Sequence, residues 1–228
     1  MLKKIPEIVK LQLDKKLPAP GKTGIDWFLY CYFLQQLKDK RFLEFGVGDG
    51  GSLMSMLAYS IDVTAVDNWN FKWDKKPVED ILTKINRNVT FINEDTLNLN
   101  VNNFNSYDFI HLDANKGFEE TLHDLSFASK ICNKVICVDD YMNSMWPEVT
   151  WAVDKFLLLN PTWRILIIGN HQVFITNTNV KINELIINLP IVIRNNIVYL
   201  TYGSLPIEIK PFCDAAELIY SWHPIAWK

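Results

Sequence analysis

Apolar residues recur along this chain with two alternating periods, and the alternation lays out a fold. Residues 3–16 carry Ile5, Ile8, Val9 and Leu13 on a helical stripe that Pro18 and Pro20 end. Thr23–Leu37 predicts a second, aromatic-rich helix with Trp27, Phe28, Tyr30 and Phe33, a stripe suited to core packing. Short apolar runs then predict strands at Arg41–Phe45, Asp62–Val66, Val89–Ile92, Tyr107–Leu112 and Val135–Val138. Helices are predicted between and after them at Leu53–Ala58, Val78–Asn86, Phe118–Ile131 and Glu148–Leu159. Two further strands, Trp163–Ile168 and Gln172–Thr176, are split only by Gly169-Asn170-His171, which permits an antiparallel hairpin and no crossover. Alternation of this kind specifies an α/β fold. The expectation is a doubly wound, mostly parallel seven-stranded sheet with an antiparallel C-terminal hairpin strand.

The last fifty residues leave this rhythm. Ile191–Arg194 and Ile197–Tyr202 flank Asn195-Asn196 as a second hairpin, and Pro211–Trp222 reads as an amphipathic helix. The expected organisation is a single domain: N-terminal helices over 1–40, a core over 41–177, and an extension over 178–228. That extension is expected to serve as a lid, dimer contact or substrate wall.

Composition narrows the classes of partner. The chain has 228 residues, 49% of them hydrophobic, so it can bury a core without staples. A net charge of -3, a pI of about 5.8 and the lack of any long Lys/Arg run argue against nucleic acid. Cys31, Cys132, Cys137 and Cys213 form no C-x-x-C pair, which fits a reducing, cytoplasmic setting. The N-terminus has no leader pattern, and the most apolar run is too short to span a bilayer, so a membrane is not expected.

The candidate chemistry gathers at strand ends, where open α/β sheets bind ligands. Strand one closes on Glu44 and runs into Gly46, Gly48, Gly50 and Gly51, with Ser52 opening a helix. Such a turn exposes backbone N–H groups to a ligand that a Cβ would block. Gly46, Gly48 and Gly51 also fit G-x-G-x-x-G, with Asp67 near the position of a ribose-binding acid, so a dinucleotide oxidoreductase stands beside other readings here. A non-catalytic interaction scaffold is a third. Later strands end in Asp95-Thr96, Asp113 and Asp139-Asp140. So many carboxylates on one rim repel one another unless a ligand or cation offsets them.

Taken together, E-F-G-V-G-D-G-G-S, V-D-N-W, E-D-T, Y-D-F-I-H-L-D and V-I-C-V-D-D-Y resemble the class I S-adenosylmethionine-dependent methyltransferases. Tyr107–Tyr141 most resembles their small-molecule O-methyltransferase branch, which includes catechol and macrocin-type enzymes. The similarity spans Thr23 to Thr176 and implies a Rossmann-like methyltransferase with a small hydroxylated acceptor. It implies that Gly46, Val47 and Gly48 approach the methionine half of the cofactor, with Ser52 at its carboxylate and Glu44 at its amino group. Asp67 would take the ribose hydroxyls, with Asn68 and Trp69 beside it and Trp69 over the adenine face; Asp95 and Thr96 would meet the adenine edge. Asp113, Asp139 and Asp140 would hold Mg²⁺, a hard ion suited to oxygen ligands, and Lys116 would act as general base. The A-N-K after Asp113 departs from the D-G-D-H of sugar-modifying members. His111 is expected to be a satisfied core histidine, and neither His123 nor His171 is given a role.

Overall fold

The structure is a computed structural model that describes residues 6–19, 24–70, 74–181, 185, 191–194 and 197–200. Six α-helices and nine strands are assigned among them: α1 Glu7–Leu13, α2 Gly24–Gln36, β1 Phe42–Phe45, α3 Gly51–Leu57, β2 Val63–Val66, α4 Lys75–Lys84, β3 Thr90–Ile92, β4 Tyr107–Leu112, α5 Phe118–Ile131, β5 Cys132–Asp139, α6 Pro147–Leu159, β6 Trp163–Ile168, β7 Gln172–Asn177, β8 Ile191–Arg194 and β9 Ile197–Leu200. The expected C-terminal helix and Tyr202 lie outside the described residues.

Seven strands form one sheet in the order β3-β2-β1-β4-β5-β7-β6. The first five are parallel; β7 runs antiparallel between β5 and β6, with Asp139 of β5 opposite Gln172 of β7. Strand order reverses between β1 and β4, so a crevice opens above their carboxyl ends. β8 and β9 pair separately as the expected hairpin.

Strand alternation divides the core between the two faces. Phe42, Ala65, Phe109, Cys137 and Phe174 point to one face, under α1, α2, α3 and α4. Leu43, Phe45, Ile110, Ile136 and Val173 point to the other, under α5 and α6. Each large apolar side chain so buried stabilises the fold by about 1.5–3 kcal/mol. In α2, Phe28 through Leu34 are all buried, which explains why the helix is apolar around its circumference. The Asn-rich link between β3 and β4 forms two 3₁₀ turns, Thr96–Asn98 and Val101–Asn103, each capped by the preceding side chain, Asp95 or Asn100. Two helix starts differ from the sequence expectation by two or three residues: Gly51 joins α3, and α4 begins at Lys75 behind its Asp74 cap. β5 begins at Cys132, directly where α5 ends. No helix among the described residues is long and apolar enough to cross a membrane.

Candidate active site

The glycine turn after β1 takes its shape from its neighbours. Gly46 has φ +82°, and a Cβ there would stand 2.5 Å from the Asp113 carbonyl oxygen and 2.7 Å from Ala114 Cα. Only glycine accommodates both the conformation and the approach. Gly48 and Gly50 also have positive φ, and Gly50 leads into α3. Below α3, the buried Gln12 donates to the Gly51 carbonyl at 2.8 Å and accepts from the Ser55 hydroxyl at 3.0 Å, tying α1 to the turn.

Asp67, at the end of β2, fixes the turn from the opposite side. Its Oδ2 accepts from the N–H groups of Val47 (2.7 Å) and Gly48 (3.3 Å), and its Oδ1 from that of Trp69 (2.7 Å). Trp69 sits at φ +54° with its ring edge-on to Phe91. Asn68 Nδ2 reaches Asp95 Oδ2 at 3.4 Å, linking the loops after β2 and β3. Thr96 is buried and accepts from Asn115 Nδ2 at 3.3 Å.

These residues line a cavity of about 770 Å³ over the carboxyl ends of β1, β2, β3, β4 and β5. Gly46, Val47, Gly48, Ser52, Asp67, Asn68, Trp69, Asp95, Thr96, Asp113 and Lys116 all face it, as does Asp139. Asp49, Glu94, Asn115 and Trp146 do so as well, though the sequence reading gives none of them a role. Two predicted residues do not line it. Glu44 is wholly buried beneath the turn, because strand alternation turns it toward α2 and opposite His111 of β4. Its Oε1 lies 2.9 Å from His111 Nδ1, forming a buried carboxylate–imidazole pair, while its Oε2 has no hydrogen-bond partner among the described residues. Burial raises the Glu44 carboxyl above its ordinary value, against the lowering effect of His111.

Asp140 is the other. It occupies a turn at φ +61°, where Oδ1 accepts from Asn143 and Oδ2 stands 2.7 Å from Lys116 Nζ. Lys116 Nζ also lies 2.5 Å from Asp113 Oδ1. Burial disfavours the ammonium, but Asp113, Asp139 and Asp140 together outweigh burial and hold it well above the usual lysine range. Among the protein's own groups the shift is therefore opposite to that of a free base.

His111, fully buried, stands with Asp113 and Asp139: one ligand atom from each lies within 4.8 Å of the other two. Asp139 Oδ1 accepts from Gln172 Nε2 at 2.8 Å, across the β5–β7 pairing. Behind them the buried Asp26 of α2 accepts from the N–H groups of Asn170 (2.7 Å) and His171 (3.2 Å), holding the β6–β7 turn at the rim. Burial pushes the Cys31 and Cys132 thiols up to about 12, so neither is a thiolate nucleophile.

The chain resembles solved methyltransferases along most of its length. An O-methyltransferase from Bacillus cereus in complex with S-adenosylhomocysteine superposes with a TM-score of 0.51 at 16% identity, covering 75% of this chain and 89% of that one. The O-methyltransferase NovP gives 0.56 at 15% identity, covering 65% and 77%. CalS11, a TDP-rhamnose 3′-O-methyltransferase, gives 0.53 at 16%, covering 74% and 90%. The chain has the class I methyltransferase fold. An rRNA methylase from Streptococcus thermophilus shares this methyltransferase fold at a TM-score of 0.51 and 14% identity, covering 69% and 96%. No protein-family profile and no curated protein sequence matches the chain.

Proposed function

We propose that the protein is an S-adenosylmethionine-dependent O-methyltransferase acting on a small hydroxylated molecule. One observation carries this reading. Asp49, Asp67, Glu94, Asp95, Asp113 and Asp139 line the cavity, and among the described residues Lys116 is the one lysine of its lining, which includes no arginine. A cofactor bearing a sulfonium and an ammonium is attracted to such a lining, whereas the pyrophosphate of a dinucleotide is repelled by it. The antiparallel β7 between β5 and β6 also departs from the all-parallel order of dinucleotide-binding sheets. The Bacillus cereus relative, with S-adenosylhomocysteine bound, supports the same cofactor.

The residues fit that cofactor. Gly46, Val47 and Gly48 allow its methionine half close to the backbone, and Ser52 stands at the opening of α3 for the carboxylate. Asp67, already ordered by the turn's N–H groups, keeps further lone pairs for the two ribose hydroxyls. Asn68 and Trp69 flank the ribose and adenine; Asp95 and Thr96 meet the adenine edge. Glu44 acts from below, by holding His111 and the end of β1. Bound there, S-adenosylmethionine supplies an electrophilic methyl group.

On the acceptor side, Asp113 and Asp139 fit a divalent cation by donor chemistry; the sequence expectation adds Asp140 for Mg²⁺, but its two oxygens meet Asn143 and Lys116. Such a cation would polarise the acceptor oxygen. Lys116 stays protonated while it bridges Asp113 and Asp140; once their charge is otherwise offset, the ammonium would lose a proton to solvent, and the neutral Nζ would then take the hydroxyl proton. Trp146 forms an apolar wall above, and alignment supplies much of the rate.

Incubation with methyl-labelled S-adenosylmethionine and a panel of small hydroxylated acceptors tests the reading. Label is expected in an acceptor, with S-adenosylhomocysteine formed in equal amount. Strong NAD(H) binding without S-adenosylhomocysteine binding contradicts it.

A further inference from the structure

We propose that His111, Asp113 and Asp139 form a transition-metal site in which the His111 imidazole is a direct ligand, so that the centre prefers an ion such as Co²⁺ or Fe²⁺ to Mg²⁺. The inference deepens the methyl-transfer reading at its acceptor side, but the site itself stands on the protein's own donors. His111 of β4 and Asp113 two residues beyond it share a sheet face, and Asp139 of β5 joins them there. Their ligand atoms lie within 4.8 Å of one another, which side-chain adjustment of about an ångström brings around one ion at ordinary metal–ligand lengths.

Each ligand has the supporting partner that metal ligands need. Glu44 Oε1 lies 2.9 Å from His111 Nδ1, a carboxylate–histidine pair that would fix the tautomer and leave Nε2 as the ligating nitrogen. Gln172 Nε2 holds Asp139 Oδ1, and Lys116 holds Asp113 Oδ1. Asp140 stands outside this set, its two oxygens taken by Asn143 and Lys116.

A second observation points to a ligand. Gln172 is fully buried, and its Oε1 accepts no hydrogen bond among the described residues. A buried carboxamide oxygen so placed costs about 1–3 kcal/mol unless a donor reaches it. Its Nε2 is already on Asp139, so water carried by an ion on Asp139 would supply a donor. Imidazole as third ligand changes the metal. Nitrogen donors favour later first-row ions, whereas Mg²⁺ selects all-oxygen sites.

The test uses the full-length protein, freed of metal by chelation. Calorimetry is expected to find one Co²⁺ site at least tenfold tighter than Mg²⁺. Proton NMR of the Co²⁺ protein is expected to show a single hyperfine-shifted, solvent-exchangeable resonance from the His111 Nδ1–H. His111→Gln and Asp139→Asn should each weaken Co²⁺ tenfold or more. Glu44→Gln should weaken Co²⁺ about tenfold and speed exchange of the shifted proton, while Asp140→Asn should change Co²⁺ affinity less than twofold. If His111→Gln does not fold, the wild-type resonance decides. Mg²⁺ binding as tightly as Co²⁺, Co²⁺ bound without the shifted proton, or Asp140→Asn losing as much as Asp139→Asn overturns the site. S-adenosylhomocysteine binding without any Co²⁺ binding also overturns it and leaves methyl transfer standing. Co²⁺ binding without S-adenosylhomocysteine does the reverse.

Discussion

Two side chains at the cavity, Asp67 and Lys116, combine holding a structure with facing a ligand, and substitutions separate these roles. Asp67→Ala removes the acceptor for the Val47, Gly48 and Trp69 N–H groups and the partner proposed for ribose. Loss of such charge-assisted contacts is worth roughly 2–3 kcal/mol, so calorimetry should show S-adenosylhomocysteine affinity falling by about fiftyfold or more. Lys116→Met should reduce turnover by about a hundredfold or more, typical of a lost general base, with cofactor affinity changed by less than about threefold. The opposite pattern would make Lys116 a cofactor-binding residue. Beneath Thr96, burial raises the Asp124 carboxyl to about 6, against hydrogen bonds from Thr96 and His123 that lower it. An acid raised on folding binds its proton more tightly in the native state. Its contribution is therefore most favourable below about pH 4, declines through pH 4–6, and stays lost above. Asp124→Asn should flatten that decline and stabilise the protein at pH 7.5 by on the order of 2 kcal/mol, measured by urea unfolding.

At the scale of elements, most of the layout was legible because period and punctuation agreed. Tyr107–Leu112 and Phe118–Ile131 match their sequence-predicted bounds, since strand alternation gives way to helical spacing across a Gly117 break. The three-residue turn at 169–171 required an antiparallel β6–β7 hairpin, but local pattern could not place β7 inside β6. That insertion is a tertiary choice, and it brings Gln172 against Asp139. The partners that shape the site were illegible for the same reason. Gln12, Asp26 and Gln172 act at separations of 33 to 145 residues and carry no local signal. His111 was readable as a core histidine, but its place between Glu44 and two aspartates depends on strand register. Asp26→Ala should leave the Asn170 and His171 N–H groups without their acceptor, lowering stability by about 1–3 kcal/mol in denaturant titration. Gly46→Ala should cost more, because a positive φ and a backbone clash coincide; soluble yield and cooperative unfolding should both drop sharply.

Across the whole molecule, topology turns scattered acids into a single electrostatic surface. The reversal of strand order between β1 and β4 opens the crevice, and the parallel strands deliver Asp67, Asp95, Asp113 and Asp139 to its rim. Glycines alone fit a dinucleotide as well as a methyl donor; the carboxylate lining and the inserted β7 favour the donor. The central claim is thus a claim about which cofactor this negatively charged cavity accepts. Isothermal calorimetry of the full-length protein with S-adenosylhomocysteine and, in parallel, with NAD⁺ and NADH tests it most directly. The account predicts one S-adenosylhomocysteine site per chain, weakened about fiftyfold or more by Asp67→Ala, and no dinucleotide binding. Saturable NAD⁺ or NADH binding with no heat from S-adenosylhomocysteine would contradict it.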